Sequence, residues 1–253
     1  RPDLLKSIDK EMVSALTKQF AKSGMQLRLG WTLHSVETVP GETGRAWRAD
    51  ATYTKDDEAI TEKFDAVLVC QGRTGNFEKL GLDRVGLKPD DRGSLKVNKN
   101  YQTSVPNIYA VGDIIGAPAL AASSAEQGRL AALHAFTGAD ARFPETFPYG
   151  IYTIPEISSV GMQEEELEAK GVQYIVGKAT YSELARGKMI EDEFGFLKLI
   201  IHAKTKRVIG VHVIGTGATD QRICTGTAIE SIGIGIAAQC VVEGAAVQVL
   251  DVD

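Results

Sequence analysis

The sequence predicts an α/β segment followed by an α+β domain. Three observations carry this. Apolar residues at helical spacing open the chain and give way to strand-like stretches. A continuous apolar run at 65–70 ends at Gly72, the pattern of a strand buried on both faces of a parallel sheet. A second strand–turn–helix at 103–136 precedes a break in composition at 138–148, and short strands and helices mix beyond it.

The first element is a helix. Leu4, Ile8, Met12, Leu16 and Phe20 recur on one face, Asp3 is the expected N-cap, and Gly24 can close the helix. Three strands follow, from Met25 through 31–39, over 45–54 and over 59–64. Turns at Pro40-Gly41 and Lys55-Asp56-Asp57 separate them, so the expected arrangement is an antiparallel meander. The run 65–70 is read as a parallel-sheet strand with ligands near its C-terminal end. Residues 80–107, rich in Gly, Pro, Asp and Asn, form a linking segment.

At 108–111 an apolar strand ends in Gly112-Asp113. A Gly/Pro turn follows, and a small-residue helix begins near Leu120. A strand that ends in a carboxylate and points at a helix start suits a polyol beside an anionic ring edge. The carboxylate accepts from hydroxyls, and the free N–H groups of the first helical turn donate.

Past the break, strands are expected at 157–161, 174–181, 194–201 and 208–214, the last two joined by a Lys204-Thr205-Lys206 turn. An acidic helix spans 163–170, where Glu164-Glu165-Glu166 reads as a solvated N-terminus that complements the helix dipole. A further helix is expected at 219–231. The tail, 232–253, is rich in Gly, Ala, Ile and Val and has no clean period.

Composition narrows the function. A net charge of −5 argues against nucleic acid or an anionic membrane surface as the main partner. No apolar run is long enough to span a bilayer. Cys70, Cys224 and Cys240 are widely spaced, with no CxxC and no disulfide framework, so a reducing cytoplasm is the expected compartment. His34, His134, His202 and His212 share no ligand spacing, and His202 and His212 read as sheet residues. Cys224 reads as a packing residue. The N-terminus has neither a leader pattern nor a Met, and reads as the middle of a domain.

Three segments, in order, carry a family likeness: CQGRTGN at 70–76, TSVPNIYAVGD with PALAASSAEQGR at 103–129, and YGIYTIPEISSVG at 149–161. Together they resemble the FAD-dependent pyridine nucleotide-disulfide oxidoreductases. Residues 1 to about 220 are similar to the C-terminal half of the soluble pyridine nucleotide transhydrogenases within that family. The resemblance implies an incomplete Rossmann-like NAD(P)-binding domain with its β-meander at 1–76. It implies an FAD-contacting return segment at 77–147 and a dimerisation domain with an atypical tail at 148–253. It further implies FAD and NAD(P) as cofactors, nicotinamide nucleotides as substrates and a homodimer.

Residue by residue, Asp113 would hold the ribityl chain, with Gly112 allowing close backbone approach. Leu120 and Ala121 would turn N–H groups to the pyrimidine edge of the flavin ring, favouring negative charge there. Gly72 would admit the nicotinamide nucleotide, with Arg73 near the flavin–nucleotide junction. Read alone, Gly72 is equally a turn glycine and Arg73 a surface arginine. Leu33 matches a position that touches adenine. Arg1 matches one where arginines pair with a 2′-phosphate.

The sequence also departs from the family pattern. It contains no GxGxxG, so neither pyrophosphate cradle is present. No His follows His212, whereas disulfide reductases end with a His and a Glu. The likeness fades after 220, and a frameshifted or truncated reading frame is the hypothesis that would explain both ends. The expected activity is hydride transfer between NADPH and NAD⁺ through FAD, with this chain alone catalytically incomplete. The alternatives are a dihydrolipoamide dehydrogenase-like disulfide reductase and a non-catalytic dimerisation remnant.

Overall fold

The computed structural model describes residues 3–40, 47–70, 72–140, 142, 146, 148–183, 185–189 and 191–218. They form two compact units, one from 1–67 with 146–253 and the other from 68–145. The expected helix at 219–231, the tail, Cys224, Cys240 and Arg1 lie outside the described residues.

The first unit opens with helix α1, Lys10–Lys22. Its N-cap is Asp9 rather than Asp3. The Asp9 carboxylate accepts from the backbone N–H of Glu11 at 3.0 Å and of Met12 at 3.3 Å. The apolar spacing begins before the helix does, because Leu5 sits in a left-handed conformation that breaks the turn ahead of Ile8. Ser23 closes the helix, and Gly24 follows with a positive φ.

Strands β1 (Thr32–Pro40), β2 (Trp47–Lys55) and β3 (Glu58–Phe64) make the expected antiparallel meander. Residues 25–31 stay outside it. Arg28 fastens its edge. The guanidinium donates from Nε to Glu62 at 3.1 Å and lies 5.9 Å from the centre of Trp31 and 6.0 Å from that of Tyr53.

The second sheet has the order β4-β5-β8-β7-β6, antiparallel throughout. Its strands are β4 (Tyr149–Ile151), β5 (Glu156–Gly161), β6 (Tyr174–Thr180), β7 (Gly195–His202) and β8 (Val208–Gly215). Helices α3 (Glu164–Ala169) and α4 (Ala185–Met189) punctuate it; β4 and α4 carry no clear sequence signal. Helix α1 packs on this sheet. Ile8, Met12 and Leu16 bury against Ile157 and Ile214, with Phe20, Tyr149 and Phe196 around them.

One cross-strand row beneath α1 is polar. Ser159 pairs with His212, His212 with Lys198, and Lys198 with Lys178. Lys198 is 1 % exposed and bonds Asp9 at 2.8 Å, Glu11 at 3.2 Å and also Glu164. Lys178 bonds Glu11 at 2.5 Å. So Glu164 is more than a solvated member of an acidic run: only partly exposed, it helps neutralise a buried ammonium. The Glu11 carboxyl is held below its ordinary range. Partial burial works against this, but the two lysines outweigh it. His212 bonds Ser159 through Nδ1 at 2.6 Å and the Met162 carbonyl through Nε2 at 3.1 Å. A carbonyl only accepts, so Nε2 carries the proton and Nδ1 accepts from the Ser159 hydroxyl.

The second unit contains a 3-10 turn at Leu82–Val85, another at Gly112–Ile115, and helix α2, Ala121–Thr137. Two strand expectations fail here. Residues 65–70 form no strand, and Leu68 and Val69 are 87 % and 65 % exposed. A parallel strand needs a parallel partner to complete its hydrogen bonds, and both sheets among the described residues are antiparallel and lie elsewhere in the chain. Residues 108–111 contribute only an isolated bridge, Gln102 to Tyr109.

Candidate functional site

The second unit brings together six of the expected site residues. Gly112 opens the 3-10 turn with φ +77°, a region that L side chains rarely adopt. A Cβ there would lie 3.2 Å from the Ser124 hydroxyl of α2. Asp113 follows, and its carboxylate is paired with the Arg73 guanidinium. Both side chains remain open to solvent. Gly72, beside Arg73, also has a positive φ, and nothing crowds the position its side chain would occupy.

Leu120 is the N-cap of α2, in extended conformation, and no side chain caps the helix. The Ser123 and Ser124 hydroxyls instead bond the Leu120 carbonyl, at 2.9 and 2.8 Å. The amides of the first turn, beginning at Ala121, have no intrahelical acceptor. A 17-residue helix presents an appreciable positive end there. Gly138 closes its other end in left-handed conformation.

Helix α2 is fastened to the Asp113 turn. Leu130 and Ala131 pack with Tyr101, Tyr109, Val111 and Ile115. Burial pushes the Tyr101 phenol up. Tyr109 bonds His134 Nδ1 at 2.8 Å. Gln127 is buried, and its Oε1 accepts the Gly112 N–H at 2.7 Å. Sequence reasoning missed Gln127. Helical spacing would have found it, because Ser123, Gln127, Leu130 and Ala131 are the buried face of α2.

Leu33 belongs to the first unit. It sits half-buried on β1 opposite Tyr53, at a register irregularity. Among the described residues, no group of His, Cys, Asp and Glu is placed to hold a metal ion. No helix among them is long and apolar enough to cross a membrane.

The model of the pyridine nucleotide-disulphide oxidoreductase family matches residues 1–128. That is more than half of the chain. The chain belongs to the pyridine nucleotide-disulphide oxidoreductase family. The model of that family's dimerisation domain matches residues 147–246. Among its relatives, the soluble pyridine nucleotide transhydrogenase of Pectobacterium atrosepticum is 42% identical over 221 residues, 87% of this chain and 45% of that protein. The namesake from Vibrio parahaemolyticus is 42% identical over 227 residues, 87% of this chain and 46% of that protein. The chain therefore spans a little under half the length of the relatives it matches. Among solved structures, LpdA from Mycobacterium tuberculosis superposes with a TM-score of 0.74 at 28% identity, covering 85% of this chain and 45% of that one. RclA from Escherichia coli, described as an HOCl-induced flavoprotein disulfide reductase, superposes at 0.73 and 22% identity over 85% of this chain and 48% of that one. That second likeness speaks to fold alone. The family's two-part order, a nucleotide-binding segment and then a dimerisation domain, agrees with the fold class read from the sequence.

Proposed function

We propose that this chain is the C-terminal part of a flavoprotein oxidoreductase that moves hydride between NADPH and NAD⁺. The observation that carries the reading is local. A carboxylate, Asp113, follows a left-handed glycine on a turn fastened to α2, whose N-terminus no side chain caps. These residues fit the middle of FAD and the edge of its ring. A Gly112 side chain would press on Ser124, so the backbone stays open on the approach to Asp113. The pyrophosphate cradle is not among the residues of this sequence, which has no GxGxxG.

Asp113 would accept hydrogen bonds from ribityl hydroxyls, and the paired Arg73 guanidinium would orient that carboxylate. The amides after Leu120 would donate to the pyrimidine edge and favour negative charge beside it. When bound, FAD supplies the hydride acceptor and donor between two nicotinamides. Gly72 and Arg73 would border the nicotinamide nucleotide, Leu33 its adenine, and Arg1 a 2′-phosphate. The division of labour follows the segments 1–76, 77–147 and 148–253, with NAD(P) on the first, FAD on the second and a second copy of the chain on the third. The match of 147–246 to a dimerisation domain supports the homodimer. Tyr152 and Ile154, both open to solvent, supply apolar surface for it. A cytoplasmic location fits the widely spaced cysteines.

The lack of both Gly-rich cradles favours one other reading, a dimerisation remnant without catalysis. One assay separates the readings. The chain, joined to the N-terminal half of a transhydrogenase relative so that the Gly-rich cradles are supplied, is given FAD and NADPH, and the reduction of a NAD⁺ analogue is followed by absorbance, beside a parallel reaction with lipoamide. Analogue reduction is the expected result. Lipoamide reduction alone supports a disulfide reductase, and inactivity in both supports the remnant.

A further inference from the structure

Gln127 is a buried side chain of α2 with no part in the reading above. It is 2 % exposed in the middle of an alanine-rich helix. Packing alone does not ask for a glutamine there. Leu130 and Ala131, one turn on, fill the same face with hydrocarbon. Burying an amide is costly unless it is bonded, so its retention needs a polar partner. The partner is the Gly112 N–H, accepted at 2.7 Å across 15 residues of sequence.

That bond joins the two elements that would face a flavin. Gly112 precedes Asp113 on the turn, and Gln127 lies two turns into the helix whose N-terminus begins at Ala121. Val111 and Ile115 pack against the same face of α2. Packing holds the turn down but does not set its register along the helix; a directed hydrogen bond does. The left-handed glycine leaves its N–H pointing at α2, and both Gly112 and its acceptor Gln127 are buried.

We infer that Gln127 is a positioning residue for flavin binding: it holds the Asp113 carboxylate at a fixed place relative to the α2 N-terminus, so that one flavin meets both. This inference rests on the flavin reading. The test is an FAD titration of the purified protein, followed by flavin fluorescence, with thermal midpoints measured alongside. Gln127→Leu removes the acceptor. Gln127→Asn keeps an amide but falls short of Gly112, and carries the test if the leucine variant fails to fold. Gln127→Glu keeps an acceptor at the same reach.

Leucine and asparagine are expected to weaken FAD binding about tenfold or more, the scale of one buried N–H left unpaired. Glutamate is expected to stay within about threefold of wild type, since it places a carboxyl oxygen at the same reach and that oxygen accepts the same N–H. If Gln127→Leu and Gln127→Asn bind FAD as wild type does while melting lower, Gln127 serves packing only and the inference fails. If wild type itself takes up no FAD, the flavin reading fails and this inference goes with it; the wild-type titration tells the two failures apart.

Discussion

Replacing Lys198 by methionine keeps the length of the side chain and removes its charge. The ammonium bonds Asp9 at 2.8 Å and Glu11 at 3.2 Å, and also Glu164. Asp9 is as deeply buried as the lysine, while Glu11 and Glu164 reach partly into solvent. Most of the loss therefore falls on Asp9. Leaving a buried charge without its partner costs about 3–5 kcal/mol. Asp9 keeps two backbone N–H donors from the start of α1, which places the expected loss at the low end, about 3 kcal/mol. Urea unfolding followed by circular dichroism measures it directly. A double-mutant cycle with Asp9→Asn isolates the charge, because asparagine still caps α1. The double variant is expected to be more stable than the sum of the single losses by about 1–3 kcal/mol. Should Lys198→Met unfold within about 0.5 kcal/mol of wild type, the buried network does not hold α1 to the sheet and the reasoning is wrong.

The same row predicts a response to acid. Burial holds the His212 imidazole below its ordinary pKa of 6.5, so the unfolded chain binds its proton first as pH falls. Stability contributed by neutral His212 is complete above 6.5 and is lost as pH drops through the folded value. Urea midpoints of His212→Gln should fall less steeply below pH 6.5 than those of wild type; parallel slopes would show that His212 plays no part. Gly161 has φ +82°, and a Cβ on it would overlap the Ile209 carbonyl oxygen. Gly161→Ala is expected to cost about 2 kcal/mol or more, read from the urea midpoint, and a loss under about 0.5 kcal/mol would contradict it.

Much of the fold could be read from local pattern. The meander turns at Asp56, where a positive φ suits an aspartate, and the apolar strands β7 and β8 pair on either side of a polar turn. What could not be read depends on distant partners. Asp3 and Asp9 look alike as caps, and the choice falls to Asp9 because Lys198 meets it from 189 residues away. The run 65–70 has the composition of a buried strand, yet burial belongs to the neighbours and not to the run. The apolar face of α1 packs on β5 and β8, although the helix precedes the meander in sequence. Near the candidate site, the turn at Gly112-Asp113 and the start of α2 at Leu120-Ala121 could be read because they lie within one short stretch, whereas the strand expected before them is only an isolated bridge. The Arg73 contact with Asp113 spans 40 residues, and residue type alone did not reveal it.

FAD binding is the claim on which the rest depends. The purified protein is titrated with FAD beside Asp113→Ala, and bound flavin is read by fluorescence and visible absorbance. Saturable, stoichiometric binding in wild type, weakened about tenfold in Asp113→Ala, is the expected result, because the ribityl hydroxyls lose a charged acceptor. Wild-type protein that stays colourless, or an Asp113→Ala variant with unchanged affinity, would contradict the account.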